Sequence, residues 1–201
     1  MSGSDLLQSC ELDADHEGLD CRQLEVLRVL TEDDDVTYSF QGLRRKLGLH
    51  QEVLSRTLDR LEDQDLVVRT NDGYRINPNK DAFRFGYVTE ATPIETKVVT
   101  ACLPCDVNVS FVLNVLKGKW FGELRWLGYS NTPSGLGLNW ITEDGRIQLR
   151  TKILKKTLTI NVLYGSKTDQ ERATISAYEL FDFITRITKQ KSIPLQNGIP
   201  N

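Results

Sequence analysis

The chain has 201 residues, of which 39% are hydrophobic and 26% are charged, and these values are typical of a folded globular protein with one large or two modest domains. No apolar run approaches the about 20 residues needed to cross a bilayer, and residues 1–17 lack the basic and apolar regions of a secretory signal. We therefore expect a cytoplasmic protein that makes no contact with membranes. The formal net charge of −3 on its own argues against nucleic-acid binding.

Charge is distributed unevenly along the chain. Residues 1–35 contain eleven acidic and two basic residues, a net charge of −9, so the total of −3 leaves +6 for the rest of the chain. Residues 1–18 also lack apolar periodicity and are predicted to be an acidic flexible tail. Such a tail is either simply solvated or competes with DNA for a basic surface.

The first ordered elements are predicted to be two short helices. Asp20 is a suitable N-cap for the first helix, which should end near Thr31. Thr37 or Ser39 caps the second helix, and Gly48 ends it, as glycine commonly does. Apolar residues at helical spacing should form the buried faces of both helices. These residues are Cys21, Leu24, Leu27, Val29, Leu30, Phe40, Leu43 and Leu47.

A third helix and a hairpin are predicted next. The helix spans about residues 51–63, with Val53, Leu54, Leu58 and Leu61 turned inward. Two β-type runs, residues 66–69 and 74–76, flank the turn sequence Asn-Asp-Gly, which is a strong hairpin signal. Helix, turn, helix and hairpin in this order form a winged helix-turn-helix, a fold that reads DNA. The hairpin is its wing.

The outward face of the third helix carries the side chains predicted to enter the major groove. Ser55 is small enough for a close approach to DNA, and Arg56 and Arg60 can bind phosphate or read guanine edges. Arg69 and Arg75 on the wing are expected to clamp phosphates or reach the minor groove. The predicted DNA-binding residues are Ser39, Gln41, Arg44, His50, Gln51, Ser55, Arg56, Asp59, Arg60, Arg69, Asn71 and Arg75.

The segment FQGLRRKLGLHQEVLSRTLDRLEDQDLV, residues 40–67, resembles the winged-helix regulators of the MarR, ArsR and Lrp type found in bacteria and archaea. Its most specific part is LSRTLDRLE followed by DLV, and the resemblance covers about residues 20–78. The resemblance implies that the small polar and arginine residues of the third helix contact double-stranded DNA. It also implies that the protein binds an inverted repeat as a homodimer. One departure is Asp65, where such proteins often carry glycine before the wing strand.

Winged helices also serve as protein–protein interaction modules without DNA binding, and in these the third helix simply packs against other elements. The exposed arginines of the third helix and wing favour DNA. Glu52 and Asp59 on the same helix count against it, because they repel phosphate. DNA binding is the leading hypothesis, and protein interaction is the alternative.

The second half is predicted to be an α+β domain, residues 95–190, joined to the winged helix-turn-helix domain, residues 19–78, by a connector over residues 79–94. Its pattern is a strand, a helix ended by Gly118, four β-type runs and a final helix over about residues 170–188. The last three runs are predicted to form an antiparallel meander, and the helices to pack on one face of the sheet. Residues 191–201 form a C-terminal tail. We expect this domain to dimerise and to respond to a small-molecule effector or to redox state. The predicted apolar stripe of the final helix is Ile175, Tyr178, Leu180, Phe181, Ile184 and Ile187.

Two thiols, Cys102 and Cys105, stand between a predicted strand and helix. They are interpreted as inert reduced thiols, as a reversible redox pair activated by the helix N-terminus, or as half a zinc site completed by residues of the N-terminal segment. Cys10, His16 and Cys21 are those candidates, but their spacing matches no common zinc motif. No metal or cofactor is therefore predicted. A thiol–disulfide redox protein is the third functional hypothesis.

Aromatic residues cluster around residues 130–137, a stretch rich in small and polar residues that is predicted to be a flexible loop. Such a cluster either lines a pocket for a planar effector or belongs to the core and a dimer interface, which is the favoured interpretation. The sequence has no phosphate-binding loop, nucleophile elbow or pair of carboxylates suited to catalysis, so no enzyme is predicted. The aromatic residues are Trp120, Phe121, Trp126, Tyr129 and Trp140.

Overall fold

The computed structural model describes residues 18–79, 94–103 and 107–190, which form five α-helices and one eight-stranded antiparallel sheet. This combination of helices and antiparallel sheet confirms the α+β class. The helices are α1 Cys21–Thr31, α2 Phe40–Leu47, α3 Gln51–Asp63, α4 Val109–Leu116 and α5 Gln170–Gln190. The strands are β1 Thr37–Tyr38, β2 Val67–Thr70, β3 Gly73–Ile76, β4 Ile94–Cys102, β5 Leu124–Thr132, β6 Gly135–Thr142, β7 Ile147–Leu154 and β8 Thr157–Tyr164.

Local capping signals set the ends of the first helices. Asp20 and Gln23 form a reciprocal capping box at α1, in which each backbone N–H donates to the other residue's side chain at 2.9 Å. Ser39, rather than Thr37, caps α2 and accepts a hydrogen bond from the N–H of Gly42 at 3.1 Å. Gly48 ends this helix with a φ of +63°. The predicted bounds of these helices are confirmed.

The apolar faces of α1, α2 and α3 meet in one buried core that contains Leu27, Leu43 and Leu58. The prediction that Val53 points inward is wrong, since it is 40% exposed. The buried stripe of α3 instead runs through Leu54, Thr57, Leu58 and Leu61. At 100° per residue, Val53 lies at the margin of that stripe. The prediction for Cys21 is wrong as well, because this thiol is exposed at the start of α1.

Asp65 adopts the backbone conformation that glycine favours. Its φ is +57°, and it lies between the end of α3 and β2, where the resembling regulators often carry glycine. The carbonyl of Asp65 accepts a hydrogen bond from the side-chain amide of Asn77 at 2.8 Å. This contact ties the tight turn to the end of β3.

All eight strands belong to one sheet in the order β2-β3-β1-β5-β6-β7-β8-β4. The predicted three-stranded meander is confirmed as β6 to β8. The β-type run before it forms β5, which begins at Leu124 rather than near Trp120 and pairs antiparallel with β6. The prediction of a flexible loop over residues 130–137 is wrong. These residues extend β5 and β6 to a two-residue turn, and the partners that flank it are Thr132 and Gly135. Gly135 provides the positive φ of +125° next to this turn.

A second core lies under one face of β4 to β8. Alternate residues of these strands, such as Leu149 and Ile160, point to this face, where α5 packs on β4, β7 and β8 and α4 packs on α5 and β6. The predictions that Ile175 and Tyr178 belong to the buried stripe of α5 are wrong. They are 52% and 53% exposed. The side of α5 that is buried against the sheet carries Ala173, Ala177, Leu180 and Ile184, of which the last two belong to the predicted stripe.

The predicted connector and both predicted tails fall almost entirely outside the described residues, as do Cys10, His16 and Cys105. Within the described ranges, no helix combines the length and the apolarity required to cross a membrane.

The pairing of β1 with β5 joins the two halves of the chain. Thr37 lies opposite Tyr129 and Tyr38 opposite Gly128, and the N–H of Ser39 donates to the carbonyl of Leu127 at 2.8 Å. A Cβ atom on Gly128 would lie 2.3 Å from the carbonyl oxygen of Thr37. We call this contact between β1 and β5 the seam. Only glycine at position 128 allows it to close without displacement of the backbone.

Substitution of Gly128 by alanine should therefore open the seam. We expect Gly128→Ala to lower the free energy of unfolding by about 1–3 kcal/mol, as overpacking of a close contact does. Equilibrium urea denaturation provides the measurement. Gly165→Ala is the matched control, because a Cβ atom there has no neighbour within 4 Å. Equal stability of the two variants would contradict the assigned seam.

Candidate nucleic-acid interface

The outer face of α3 is an exposed polar surface of the first half. Gln51, Arg56, Asp59 and Arg60 are exposed and Ser55 is half-buried, while the opposite side of the helix packs against α1. The sequence therefore assigned the inward and outward sides of α3 correctly, apart from Val53.

The two arginines of α3 already have acidic neighbours. A guanidinium nitrogen of Arg56 lies 4.0 Å from the carboxylate of Glu52, and Arg60 donates a hydrogen bond of 3.1 Å to the side chain of Asp20. Both contacts are exposed to solvent, where such pairs contribute little stability and exchange readily with other anions. Over its length α3 carries two arginines and four acids, so its net charge is −2. The four acids are Glu52, Asp59, Glu62 and Asp63.

The two arginines of the β2–β3 hairpin lie on opposite faces of it. Arg69 lies directly opposite Tyr74, whereas Arg75 lies opposite Val68. Directly opposed residues share a face and neighbouring residues alternate, so Arg69 and Arg75 point to opposite sides of the hairpin. The guanidinium carbon of Arg69 lies 5.8 Å from the Tyr74 ring centre.

The side of the hairpin that carries Arg69 faces α3. Burial raises the pKa of Tyr74, Arg69 lowers it, and Asp59 and Glu62 of α3 raise it further, so all three charged groups lie near the phenol. Arg69 is therefore the hairpin arginine that adjoins α3. Arg75 belongs to the other side of the sheet.

The predicted site residues of α2 make contacts within the protein. Ser39 caps the helix and donates to the carbonyl of Trp126 at 3.4 Å. A guanidinium nitrogen of Arg44 lies 3.9 Å from Glu143, and its buried Nε atom has no hydrogen-bond partner among the described residues. Arg45 donates to the same glutamate at 2.7 Å. Of the predicted residues on α2, Gln41 is the exposed one.

The tip of the hairpin is fastened to the second half of the chain. The carboxylate of Asp72 accepts hydrogen bonds from the Tyr129 hydroxyl at 2.6 Å and from the ammonium of Lys117. We call these three residues the hairpin latch. The two donors hold the pKa of Asp72 below its usual range. Burial, followed by the bond to Asp72, raises the pKa of Tyr129 to about 12.

His50 and Asn71, which are also predicted contacts, are exposed. His50 occupies the N-cap position of α3 without a capping hydrogen bond from its side chain. Asn71 stands beside the latch, in the two-residue loop of the hairpin. Both side chains are thus accessible to a partner.

A cluster of polar side chains lies beside the seam, and no local sequence pattern indicates it. Lys46 donates to Glu32 at 2.6 Å and to Gln148 at 2.9 Å, and Arg150 lies 3.7 Å from the same glutamate. Burial lowers the pKa of Lys46, while Glu32 opposes this shift. The three basic residues of α2 are thus directed at the second half of the chain. Only the fold could show this, because Glu143 lies 98 residues from Arg45 and Gln148 lies 102 residues from Lys46.

The thiols do not form a described pair. Cys21 and Cys102 are both exposed and free, and Cys105 lies outside the described residues. Across the part of the chain that the structure describes, no three His, Cys, Asp or Glu side chains are grouped to hold a metal ion. The redox interpretation of Cys102 and Cys105 stays a prediction.

The aromatic cluster is divided between core and surface. Trp126 and Trp140 are buried edge to face with ring centres 5.3 Å apart, and the indole N–H of Trp140 donates to the carbonyl of Lys119 at 3.0 Å. Trp120 is 64% exposed and lies against the guanidinium of Arg125 at 4.4 Å.

The sequence matches no protein-family model and no curated protein.

Replacement of Asp72 tests the hairpin latch. The pKa of Asp72 is depressed in the folded protein, so its contribution to stability is present above the ordinary carboxyl pKa of about 4 and is lost as pH falls through the folded value. We expect Asp72→Asn to lower the free energy of unfolding by about 1–2 kcal/mol at pH 7, and by progressively less in acid. Urea denaturation between neutral and acid pH measures this difference.

Asp182→Asn, at an exposed position of α5, is the matched control for this test. Tyr129→Phe should reproduce part of the effect at neutral pH, because it removes one of the two donors to Asp72. Identical pH profiles for Asp72→Asn and Asp182→Asn would rule out the latch as a source of stability.

Proposed function

We propose that this protein is a DNA-binding transcription regulator in which α1 to α3 and the β2–β3 hairpin form a winged helix-turn-helix domain. The observation that carries the proposal is the outer face of α3, where Gln51, Ser55 and Arg56 stand on the first two turns, open to a partner. The hairpin follows α3 directly and pairs with β1, as the wing of such a domain does. Double-stranded DNA is the proposed partner.

The N-terminal end of α3 is suited to a phosphate group. His50 and Gln51 are exposed there, and unpaired backbone N–H groups together with the helix dipole attract anions at a helix start. Ser55 is short, so the helix can approach the floor of the major groove closely. Arg56 is then placed to leave Glu52 and bind a phosphate or a guanine edge.

The charge of α3 limits the affinity of a single copy. Its acids outnumber its arginines, and Arg69 is the one hairpin arginine on its side. Two copies bound to one inverted repeat double the number of contacts and raise affinity by effective concentration. We therefore propose that the protein acts as a homodimer, with residues 95–190 responsible for dimerisation and for the response to an effector.

A protein-binding role for α3 is the second candidate function. Val53 is 40% exposed on this helix, and the helix carries a net negative charge. An exposed apolar side chain among acids suits a basic protein partner better than a phosphate backbone. This alternative predicts no DNA affinity even at low salt.

Arg56→Ala tests the assigned recognition helix. We expect it to weaken binding to a duplex selected from random sequence by about tenfold or more, and to reduce the salt dependence of binding by about one unit of slope if the side chain contacts a phosphate. Fluorescence anisotropy at several salt concentrations provides both values. Arg186→Ala on α5 removes the same charge from an exposed position on a different helix and serves as the control.

Asp59→Asn provides the opposite test, because it removes a negative charge from the same face. We expect tighter DNA binding by this variant, whereas Asp182→Asn on α5 should leave affinity unchanged. Parent and Arg56→Ala proteins that bind equally well would refute the recognition helix. Absence of DNA binding by every variant at low salt would favour the protein-interaction alternative.

A further inference from the structure

The sheet face opposite α4 and α5 contains a cavity of about 500 Å³. One end of this face is covered by α2, which packs on β5 and β6. The cavity occupies the remainder, with the loop between α1 and β1 as its wall. The residues that line it are polar, charged or glycine, and none of them is aromatic.

Strand register builds a row of polar side chains across the cavity floor. Lys97 on β4 lies opposite Asn161 on β8, which lies opposite Arg150 on β7, which lies opposite Asn139 on β6. Directly opposed residues share a face of a sheet, so all four side chains stand on the cavity side. Lys152 stands on the same side, one row further along β7.

Glycine keeps part of the floor open. Gly137 lies opposite Lys152 and has Ser130 as its other neighbour across the sheet. A Cβ atom on Gly137 would lie 2.4 Å from the hydroxyl oxygen of Ser130. Because position 137 has no side chain, the serine hydroxyl and the lysine border a depression rather than a filled surface.

The cavity holds both basic and acidic side chains, and the basic ones differ in whether they are paired. Arg150 is held by Glu32 at 3.7 Å and by Glu95 at 4.0 Å. In contrast, Lys97 and Lys152 form no salt bridge with any residue in the described ranges, although Asp33 and Asp35 line the same cavity. The ammonium groups of Lys97 and Lys152 are thus available to a ligand. Burial raises the pKa of Asp33, and Arg150 and Lys152 lie close enough to oppose this shift.

The amides of the floor also retain hydrogen-bonding capacity. Asn161 donates to Glu95 at 2.8 Å, while its buried Oδ1 atom accepts no hydrogen bond from the described residues. Asn139 is 5% exposed and lines the cavity. A buried polar atom without a partner is costly, so a ligand that donates to Asn161 gains affinity by pairing it.

We propose that this cavity binds a small phosphorylated sugar, with Lys97 and Lys152 on the phosphate and with Asn139, Asn161 and the Asp33 carboxylate on the hydroxyl groups. Lysine is a common phosphate ligand, and asparagine and aspartate match the paired donors and acceptors of a sugar. No aromatic side chain lines the cavity, which argues against a nucleobase, because a nucleobase needs a stacking surface. This site does not depend on DNA binding by α3.

The test titrates the full chain, without DNA, with glucose 6-phosphate, glucose and inorganic phosphate. Isothermal titration calorimetry measures affinity, and side-chain amide resonances of Asn139 and Asn161 report the location in NMR spectra. We expect glucose 6-phosphate to bind most tightly and to shift both amide resonances. Lys152→Gln and Lys97→Gln should each weaken its binding by about tenfold, whereas Lys189→Gln on α5 should not.

Three results would overturn the proposal. These are no binding of glucose 6-phosphate, equally tight binding of inorganic phosphate alone, and equal weakening by Lys189→Gln and the cavity variants. Circular dichroism of each variant shows whether a loss of glucose 6-phosphate binding is caused by an altered fold. Since DNA is absent from the titration, failure here would leave the proposed role of α3 standing, and failure of DNA binding would leave this site standing.

Discussion

The pairing of β1 with β5 is the constraint on which the rest of the structure depends. Two residues of β1 bridge the hairpin sheet and the meander, and so turn eight strands into one continuous sheet. The bridge exists because Gly128 offers no Cβ atom to the carbonyl of Thr37. A short strand could not hold two units together by itself, and the hydrogen bond from Ser39 to Leu127 and the ion pairs of α2 with Glu143 reinforce it.

The seam changes what the basic residues of the first half can do. Arg44, Arg45 and Lys46 lie against acids and amides of the first and second halves, so they stabilise the fold instead of adding positive charge to the surface of α3. The hairpin latch likewise holds the tip of the β2–β3 hairpin against the second half of the chain. In the proposed DNA complex, the contacts to DNA therefore come from α3 and Arg69. The hairpin is held in place by the sheet and the latch.

The two faces of the β4 to β8 sheet have different chemistry for a simple geometric reason. Alternate residues point to opposite sides, and one side is closed by α4 and α5 over an apolar core. On the other side α2 covers only the end next to the seam, so the remaining strands present lysine, arginine and asparagine to a polar cavity. Ser130 lies in β5, within the segment that the sequence predicts to be a loop, and it lines this cavity. Trp126 and Trp140 lie in the core on the opposite face of the sheet.

The sequence by itself determined the elements whose signals are local. The Asp20 cap, the Gly48 stop, the Asn-Asp-Gly turn and the apolar spacing of α3 act within a few residues, so the bounds of α1 to α3 and of the hairpin could be predicted. The tertiary structure decided which strands pair across the halves, which arginines are used internally and which face is open. These outcomes depend on contacts between residues far apart in the chain, and periodicity cannot specify the partner. The exposure of Ile175 and Tyr178 has the same cause, because the position of the sheet against α5 selects its buried stripe.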